Sequence, residues 1–208
     1  MNTLLFIQAS PSGEESYSIS VAHSFISEYL RHNSSTKVKV INVFERDIPP
    51  YDKNAVAGRM ALKKEELDHP AAEAWKKIET VCREFMDASI YVFAVPMWNF
   101  GIPYALKQYI DNIFQPGMTF KADPEKGLVG LMQGRKAFAA YARGSQYLGL
   151  PTESLDHQTT YFDFVLKFLN FDKIETLIVE PCRVKGREVA AQALAKAQEQ
   201  ALKVAKEF

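Results

Sequence analysis

Residues 95–103 carry the side chains best suited to binding chemistry, because Trp98, Asn99 and Phe100 fall in what should be a short connection. The preceding run 90–95 reads as a buried strand and the following stretch as a helix, and a plain turn between them would carry small polar residues. Large flat apolar groups beside an amide suit a planar heteroaromatic ligand better than they suit water. The pattern predicts a loop that holds a flavin ring. Packing in the core or against another subunit is the plain alternative.

The hydroxyl-rich stretch 10–18 precedes a predicted helix and is the second candidate. A helix start offers unpaired N–H groups and a partial positive charge, which together favour a phosphate. The stretch has no lysine or arginine, so neutral donors and the helix dipole would hold that phosphate. A P-loop lysine and a GxGxxG pattern are both missing, which disfavours the corresponding nucleotide sites. Alternatively, Ser16 or Ser18 merely caps the helix.

The third candidate is Arg143-Gly144-Ser145, which follows another predicted strand. Gly144 would let the backbone approach the ring edge. Arg143 could balance the negative charge of a reduced flavin, or it could equally be a surface ion-pair residue, and the whole segment could be an ordinary turn. The four histidines are scattered, without metal-ligand spacing or an acid–base cluster, so no metal site is expected and the chemistry should reside in the cofactor. They are His23, which we expect to face solvent, His32, His69 and His157.

Composition excludes several classes of protein. The 208 residues have 25 basic and 25 acidic side chains and no long basic run, which argues against nucleic acid as a partner. Cys82 and Cys182 have neither metal-ligand nor CxxC spacing, so we expect ordinary thiols. The start of the chain lacks the basic region of a signal peptide, and no apolar run is long enough for a membrane span. These features predict one cytoplasmic domain over residues 1–208 with no membrane partner.

Apolar periodicity predicts strands that alternate with helices, which implies an α/β fold with a parallel sheet. The order expected for five such strands is 2-1-3-4-5, a flavodoxin-like three-layer sandwich with a short hairpin excursion near 123–127. Ligands in such sheets bind beyond the carboxyl ends of the strands where the order reverses, and the stretches 10–18 and 95–103 border that point. Predicted strands cover 4–9, 37–43, 90–95, 136–142 and 174–179; predicted helices cover 18–30, part of 53–68, 70–86, 104–114, 159–171 and 186–208.

The motifs together resemble the FMN-dependent NADH-azoreductase family, within the flavodoxin-like quinone reductases. The similarity runs in order through essentially the whole chain, and the Pro-Met-aromatic-Asn-Phe block at 96–100 is its most specific part. The residues that carry it are the serine loop with Ser10 and Ser16-Tyr17-Ser18, the block Pro96-Met97-Trp98-Asn99-Phe100, the segment Gly117-Met118-Thr119-Phe120, and Arg143-Gly144. The resemblance implies a homodimer with two FMN sites at the subunit interface, which oxidises NADH or NADPH and reduces quinones and azo compounds.

The resemblance also implies roles by position. Phe120 would cover the open ring face, and an aromatic cluster that includes Tyr161 and Phe162 would form a wall supplied by the partner subunit. The segment 142–145 departs from the family's Ser-Arg-Gly-Gly at both ends, which puts one hydroxyl contact in question. The residues implied to bind FMN are Ser10, Ser16, Tyr17 and Ser18 at the phosphate, Pro96, Met97, Trp98, Asn99 and Phe100 along the ring, and Ala142, Arg143, Gly144 and Ser145 at its edge.

The mechanism expected is ping-pong: NAD(P)H passes hydride to flavin N5 and leaves, and a flat quinone or azo compound then takes its place and is reduced. Two alternatives stay open, an electron carrier of the flavodoxin type and a flavoprotein that regulates a partner such as a transporter. Electron carriers are usually strongly acidic, whereas this chain is neutral, and the excursion around Phe120 suits an enzyme that covers its flavin.

Overall fold

A computed structural model describes residues 2–65 and 70–208. Its main sheet has five parallel strands in the order β2-β1-β3-β6-β7, which confirms the predicted flavodoxin-like order. The strands are β1 (Thr3–Gln8), β2 (Lys37–Asn42), β3 (Ile90–Pro96), β6 (Lys136–Ala142) and β7 (Lys173–Val179). An antiparallel hairpin of β4 (Phe120–Asp123) and β5 (Gly127–Gly130) forms the predicted excursion.

The burial of each strand fits its central or edge position in the sheet. All of β3 except its last residue is buried, as expected of a strand covered on both faces. At the sheet edge, β2 pairs only with β1, and its alternating lysines remain exposed. Charged side chains on an edge strand oppose pairing with another chain.

Helices form the two outer layers of the sandwich. One core contains alternate side chains of β1, including Leu4 and Phe6, beneath the first and last helices, and the opposite core contains Leu5 and Ile7 beneath three others. The helices are α1 (Tyr17–His32), α2 (Lys53–Lys63), α3 (Ala72–Met86), α4 (Tyr104–Ile113), α5 (His157–Leu169) and α6 (Arg187–Lys206). Helices α1 and α6 cover the first face, while α3, α4 and α5 cover the second. Because the five strands of the main sheet are parallel, their carboxyl ends lie at one common edge, where the loops to the helices meet.

Helix ends differ from the predicted bounds for identifiable reasons. Helix α5 begins at His157, two residues early, because Asp156 caps its first amides, and it ends at Leu169, before Asn170 adopts a left-handed conformation with φ of 66°. The predicted partly helical stretch 53–68 is helical over α2, and its last residues, like His69, lie outside the described part of the chain. Within the described ranges, each helix is too short or too polar to cross a membrane.

Candidate functional site

A cleft of about 330 Å³ opens at the carboxyl edge of the sheet. Loops that follow four of the five parallel strands contribute to it, and three of these loops are the predicted ones. The lining residues are Ser10, Ser12, Glu15, Ser16, Tyr17, Pro96, Met97, Trp98, Ala142, Arg143, Gly144, Cys182 and Arg183. The structure therefore brings the three sequence candidates together and adds a fourth loop.

At one end of the cleft lies the N-terminus of α1. Ser16 is the N-cap, and its Oγ accepts a hydrogen bond of 3.4 Å from the Ile19 amide. Amides in the first turn of a helix lack partners within the helix, and one of them belongs to Tyr17, which lines the cleft. The Ser18 side chain is fully buried and shares a 3.1 Å hydrogen bond with Ser16 Oγ, so Ser18 does not line the cleft with its hydroxyl. The capping and phosphate interpretations are compatible, because they use different amides.

The turn after β3 has an unusual backbone. Trp98 and Gly101 exchange two backbone hydrogen bonds of 2.9 Å, and between them Asn99 and Phe100 have φ values of 47° and 71°. Positive φ is uncommon for residues other than glycine, and for a bulky residue such as Phe100 it is a genuine outlier. The turn leaves Trp98 37% exposed and Phe100 45% exposed. Trp98 lines the cleft, whereas Phe100 lies outside it and forms a T-shaped pair with the Tyr147 ring.

Arg143 differs from both predicted roles. Its side chain is fully buried, so it is neither a surface residue nor a cation free to face a ligand. Its Nη2 donates to Asp156 at 2.6 Å, its Nη1 to Glu180 at 3.3 Å and its Nε to Gln158 at 2.9 Å. Two carboxylates therefore already neutralise the guanidinium. We correct the prediction accordingly: Arg143 is a buried ion-pair residue that lines the cleft from inside the fold.

The partners of Arg143 connect four segments of the site. Gln158 Nε2 donates to the carbonyl of Val95, at the end of β3, over 2.8 Å. Glu180 accepts from the amides of Tyr147 and Leu148 at 3.1 and 2.9 Å. Burial would raise the pKa of Asp156, but hydrogen bonds from Thr159 and the attraction of Arg143 outweigh it and hold that pKa below its usual value. We call Arg143, Asp156, Gln158 and Glu180 the arginine network.

The fourth loop, after β7, is the part of the site that sequence reasoning missed. Cys182 and Arg183 both line the cleft, and the amides of both residues donate to carbonyls of the Arg143-Gly144 segment at 2.8 and 3.0 Å. Burial raises the pKa of the Cys182 thiol to about 11, so it is protonated at neutral pH. A signal was present, because the segment between the last strand and the last helix contains two basic residues at the same sheet edge. That strand lies farthest from the point where the strand order reverses, so the ligand rule for such sheets does not single out its loop.

A second, wider cavity of about 670 Å³ adjoins the first across Trp98. It is mostly apolar, and Lys107 and His157 are its basic residues. Tyr161, predicted to contact substrate, lines it, as does Asn99. The His157 amide donates to the Phe100 carbonyl at 3.0 Å, which fixes α5 against the Trp98 turn. The full lining is Trp98, Asn99, Gly101, Ile102, Tyr104, Lys107, His157 and Tyr161.

Besides Ser18 and Phe100, three more predicted residues line neither cavity. Phe162 is 1% exposed and forms T-shaped pairs with Phe93 and Tyr141 in the core. The predicted substrate contact of Phe162 is therefore wrong, and this residue is a core residue. Phe120 is half-buried against Phe114 and Phe168. Ser145 is half-buried beside the cleft without lining it.

The cleft has the features that FMN requires. Its helix end offers amides and hydroxyls for a phosphate, and the Trp98 turn offers an exposed aromatic surface beside it. Gly144 lines the cleft, and the atoms nearest to the position that a Cβ would occupy belong to the Arg183 side chain, at 3.7–3.9 Å. The volume lies within the range of small-molecule sites.

Comparison with known proteins agrees with this geometry. Residues 2–205 match a family model described as a flavodoxin-like fold. An FMN-dependent NADH:quinone oxidoreductase of Nitratidesulfovibrio vulgaris is 42% identical over the full length of both chains, and one of Staphylococcus haemolyticus is 34% identical over 96% of this chain and 98% of that one. A Bacillus anthracis FMN-dependent NADH-azoreductase, solved in complex with FMN, superposes with a TM-score of 0.86 at 26% identity and covers 99% of this chain and 100% of its own. The chain belongs to the FMN-dependent NADH:quinone oxidoreductases and azoreductases of flavodoxin-like fold.

Proposed function

We propose that this protein uses FMN in the 330 Å³ cleft to oxidise NADH or NADPH and to reduce quinones and azo compounds. The observation that carries the proposal is the convergence of a capped helix N-terminus and an exposed aromatic turn on one cleft. Bound FMN would supply the chemistry, the transfer of two electrons from a nicotinamide to the oxidant, which takes up protons from solvent. The protein supplies binding, orientation and the exclusion of water.

The phosphate end of the cleft would use uncharged donors. We infer that the amide of Tyr17 and the hydroxyls of Ser10 and Ser16 hold the phosphate at the positive end of the α1 dipole. Trp98 would stack on the ring, and the Gly144 backbone would meet its edge. The arginine network would keep this edge in place, since it ties the loops after β3, β6 and β7 to α5.

The wider cavity is the proposed approach for nicotinamide and oxidant. Trp98 borders both cavities, so a flat substrate there would lie beside a ring in the cleft. Its walls are mainly apolar, with Tyr104 and Tyr161 among them, and offer few directional groups. Such a surface tolerates substrates of different outline, which suits both quinones and azo compounds.

We propose that the protein is a homodimer, and the position of Phe120 supports this. This residue packs against Phe114, which follows the C-terminal end of α4, whereas the Trp98 turn precedes the N-terminal end of the same helix. The ten residues of α4 separate the two by about 15 Å. If Phe120 covers the ring, as the resemblance implies, it would come from a second copy. Exposed apolar side chains support such an interface, among them Tyr104 at 69% on the wall of the wider cavity, Phe164 at 60% and Leu148 at 46%.

The proposal is tested by steady-state turnover of FMN-loaded protein with NADH and with NADPH, against a benzoquinone and an azo dye. We expect parallel double-reciprocal lines, as for a ping-pong mechanism, and turnover with both oxidants. Anaerobic addition of NADH should bleach the flavin directly. A flavin that resists direct reduction would indicate an electron carrier, and protein that fails to bind FMN would refute the site itself. A cytoplasmic location and a single domain over 1–208 remain predictions.

A further inference from the structure

Among the residues that the structure describes, Arg183 is the cation of the FMN cleft for which no partner is found. Within 2–65 and 70–208, its guanidinium makes no ion pair or hydrogen bond, whereas Arg143 is neutralised by two carboxylates. Arg183 is exposed and lines the cleft together with Glu15, which carries the opposite charge. Its positive charge is therefore available to a ligand.

The stem of Arg183 lies over Gly144. Its Cβ, Cγ and Cδ would be 3.7–3.9 Å from a Cβ placed on that glycine, and its amide donates to the Gly144 carbonyl. Adjacent strands are about 4.8 Å apart, so the end of β7 lies one spacing from β6 but three spacings, about 14 Å, from β1. Arg183 therefore faces the Gly144 side of the cleft and lies away from the serines that would hold the phosphate.

The Gly144 side is where the ring edge would lie. In FMN the ribityl tail leaves N10 on the side of the ring that also carries N1 and the C2 carbonyl. With the phosphate at α1 and the tail in the cleft, this N1 side faces the same cleft that Arg183 lines. Reduced flavin carries its negative charge at N1, and charge near N1 tunes the reduction potential.

We propose that Arg183 stabilises the negative charge of reduced FMN at its N1–C2 carbonyl edge, the role that sequence reasoning offered to Arg143. This inference rests on the FMN site proposed above. Arg183 would contact the cofactor and favour its reduced state over its oxidised, neutral ring. An opposite charge at 4–6 Å favours a charged form by about tenfold or more, and an exposed cation belongs at the low end of that range.

The experiment measures the midpoint potential of bound flavin by equilibration with a reference dye. We compare the unaltered protein with Arg183→Gln, Arg183→Lys and the control Arg187→Gln. Arg187 is an exposed cation four residues away that does not line the cleft. Dissociation constants of oxidised FMN and riboflavin are measured for each variant by flavin fluorescence.

We expect Arg183→Gln to weaken reduced FMN about tenfold more than oxidised FMN, which lowers the two-electron potential by about 30 mV. Arg183→Lys should lower the midpoint potential much less than Arg183→Gln does, and Arg187→Gln should leave the potential unchanged. A potential that Arg183→Gln does not move, in protein that still binds FMN, overturns the inference and leaves the proposed function intact. A loss of oxidised FMN affinity without loss of riboflavin affinity would place Arg183 at the phosphate and also overturn it. Failure of the unaltered protein to bind FMN would overturn both proposals.

Discussion

Replacing Arg143 by methionine tests the arginine network most directly. Methionine keeps much of the length and apolar volume of the side chain but removes the charge and the three donors that reach Gln158, Asp156 and Glu180. The two carboxylates would then lie 9% and 7% exposed beside an apolar group. Burying a charge without a partner is unfavourable, so the folded state of the variant should lose stability.

The magnitude follows from what the carboxylates retain. Breaking a buried pair by removing one partner costs about 3–5 kcal/mol. Asp156 would keep its hydrogen bonds from Thr159 and the first α5 amides, and Glu180 would keep the amides of Tyr147 and Leu148. This remaining compensation places the expected loss near the lower limit, about 3 kcal/mol. For a chain of this length, that loss corresponds to a fall in Tm of about 6–12 °C.

The loss should depend on pH. In the unaltered protein the folded-state pKa of Asp156 is depressed, so its contribution is complete above the unfolded value of about 3.9 and is lost as pH falls through the folded value. In Arg143→Met the attraction disappears while burial still raises the pKa of Asp156. Protonation of Asp156 at low pH then removes the unpaired buried charge, so the variant loses less stability there. The difference between the two proteins should therefore be largest near pH 8 and should shrink as the pH approaches 4.

The assay is urea unfolding followed by circular dichroism, without FMN, at pH 5 and pH 8 and at one protein concentration, because a dimer's stability depends on concentration. The matched control is Arg183→Met, which removes an exposed arginine from the same cleft and should change stability by less than about 0.5 kcal/mol. A loss of stability in Arg143→Met below about 1 kcal/mol would refute the reasoning. So would a difference that grows on acidification.

Four further predictions concern single residues. Ser16→Glu places a carboxylate beside the proposed phosphate and should weaken FMN binding far more than riboflavin binding by fluorescence titration; equal effects would contradict the phosphate site. Gly130→Ala puts a Cβ 2.1 Å from the Phe168 carbonyl and should cost about 1–3 kcal/mol in urea unfolding, whereas Gly101→Ala, whose nearest neighbour lies at 3.9 Å, should cost less. Alkylation of Cys182 by iodoacetamide should be slow at pH 7, rise about tenfold per pH unit towards pH 10 and be slowed by FMN, since its pKa is about 11; fast, FMN-insensitive labelling at pH 7 would count against this. Phe164→Glu places a charge on a 60% exposed apolar position and should shift sedimentation towards a monomer, while an unchanged dimer would exclude this face from the interface.

The sequence alone determined the strand order and three of the four loops that line the cleft. Both depend on short-range patterns: apolar runs mark buried strands, their alternation with helices fixes a parallel sheet, and loops after neighbouring strands must share one edge. The prediction for 136–142 matches β6 residue for residue, because Lys136 and Arg143 bracket an apolar run. The Trp98 turn was found because its residue types do not suit an ordinary turn.

Only the tertiary structure decided where the charges and rings point. Arg143 and Arg183 are both arginines at the same sheet edge. Their spacing does not show that one meets Asp156 and Glu180 inside the fold, while the other lies over Gly144 without an ion pair in the described part of the chain. Tyr161 and Phe162 are neighbours, but successive helix positions point about 100° apart, so one lines a cavity and the other lies in the core. Contacts between residues that are distant in the chain are set by how whole elements pack, and the local sequence pattern does not encode those distances.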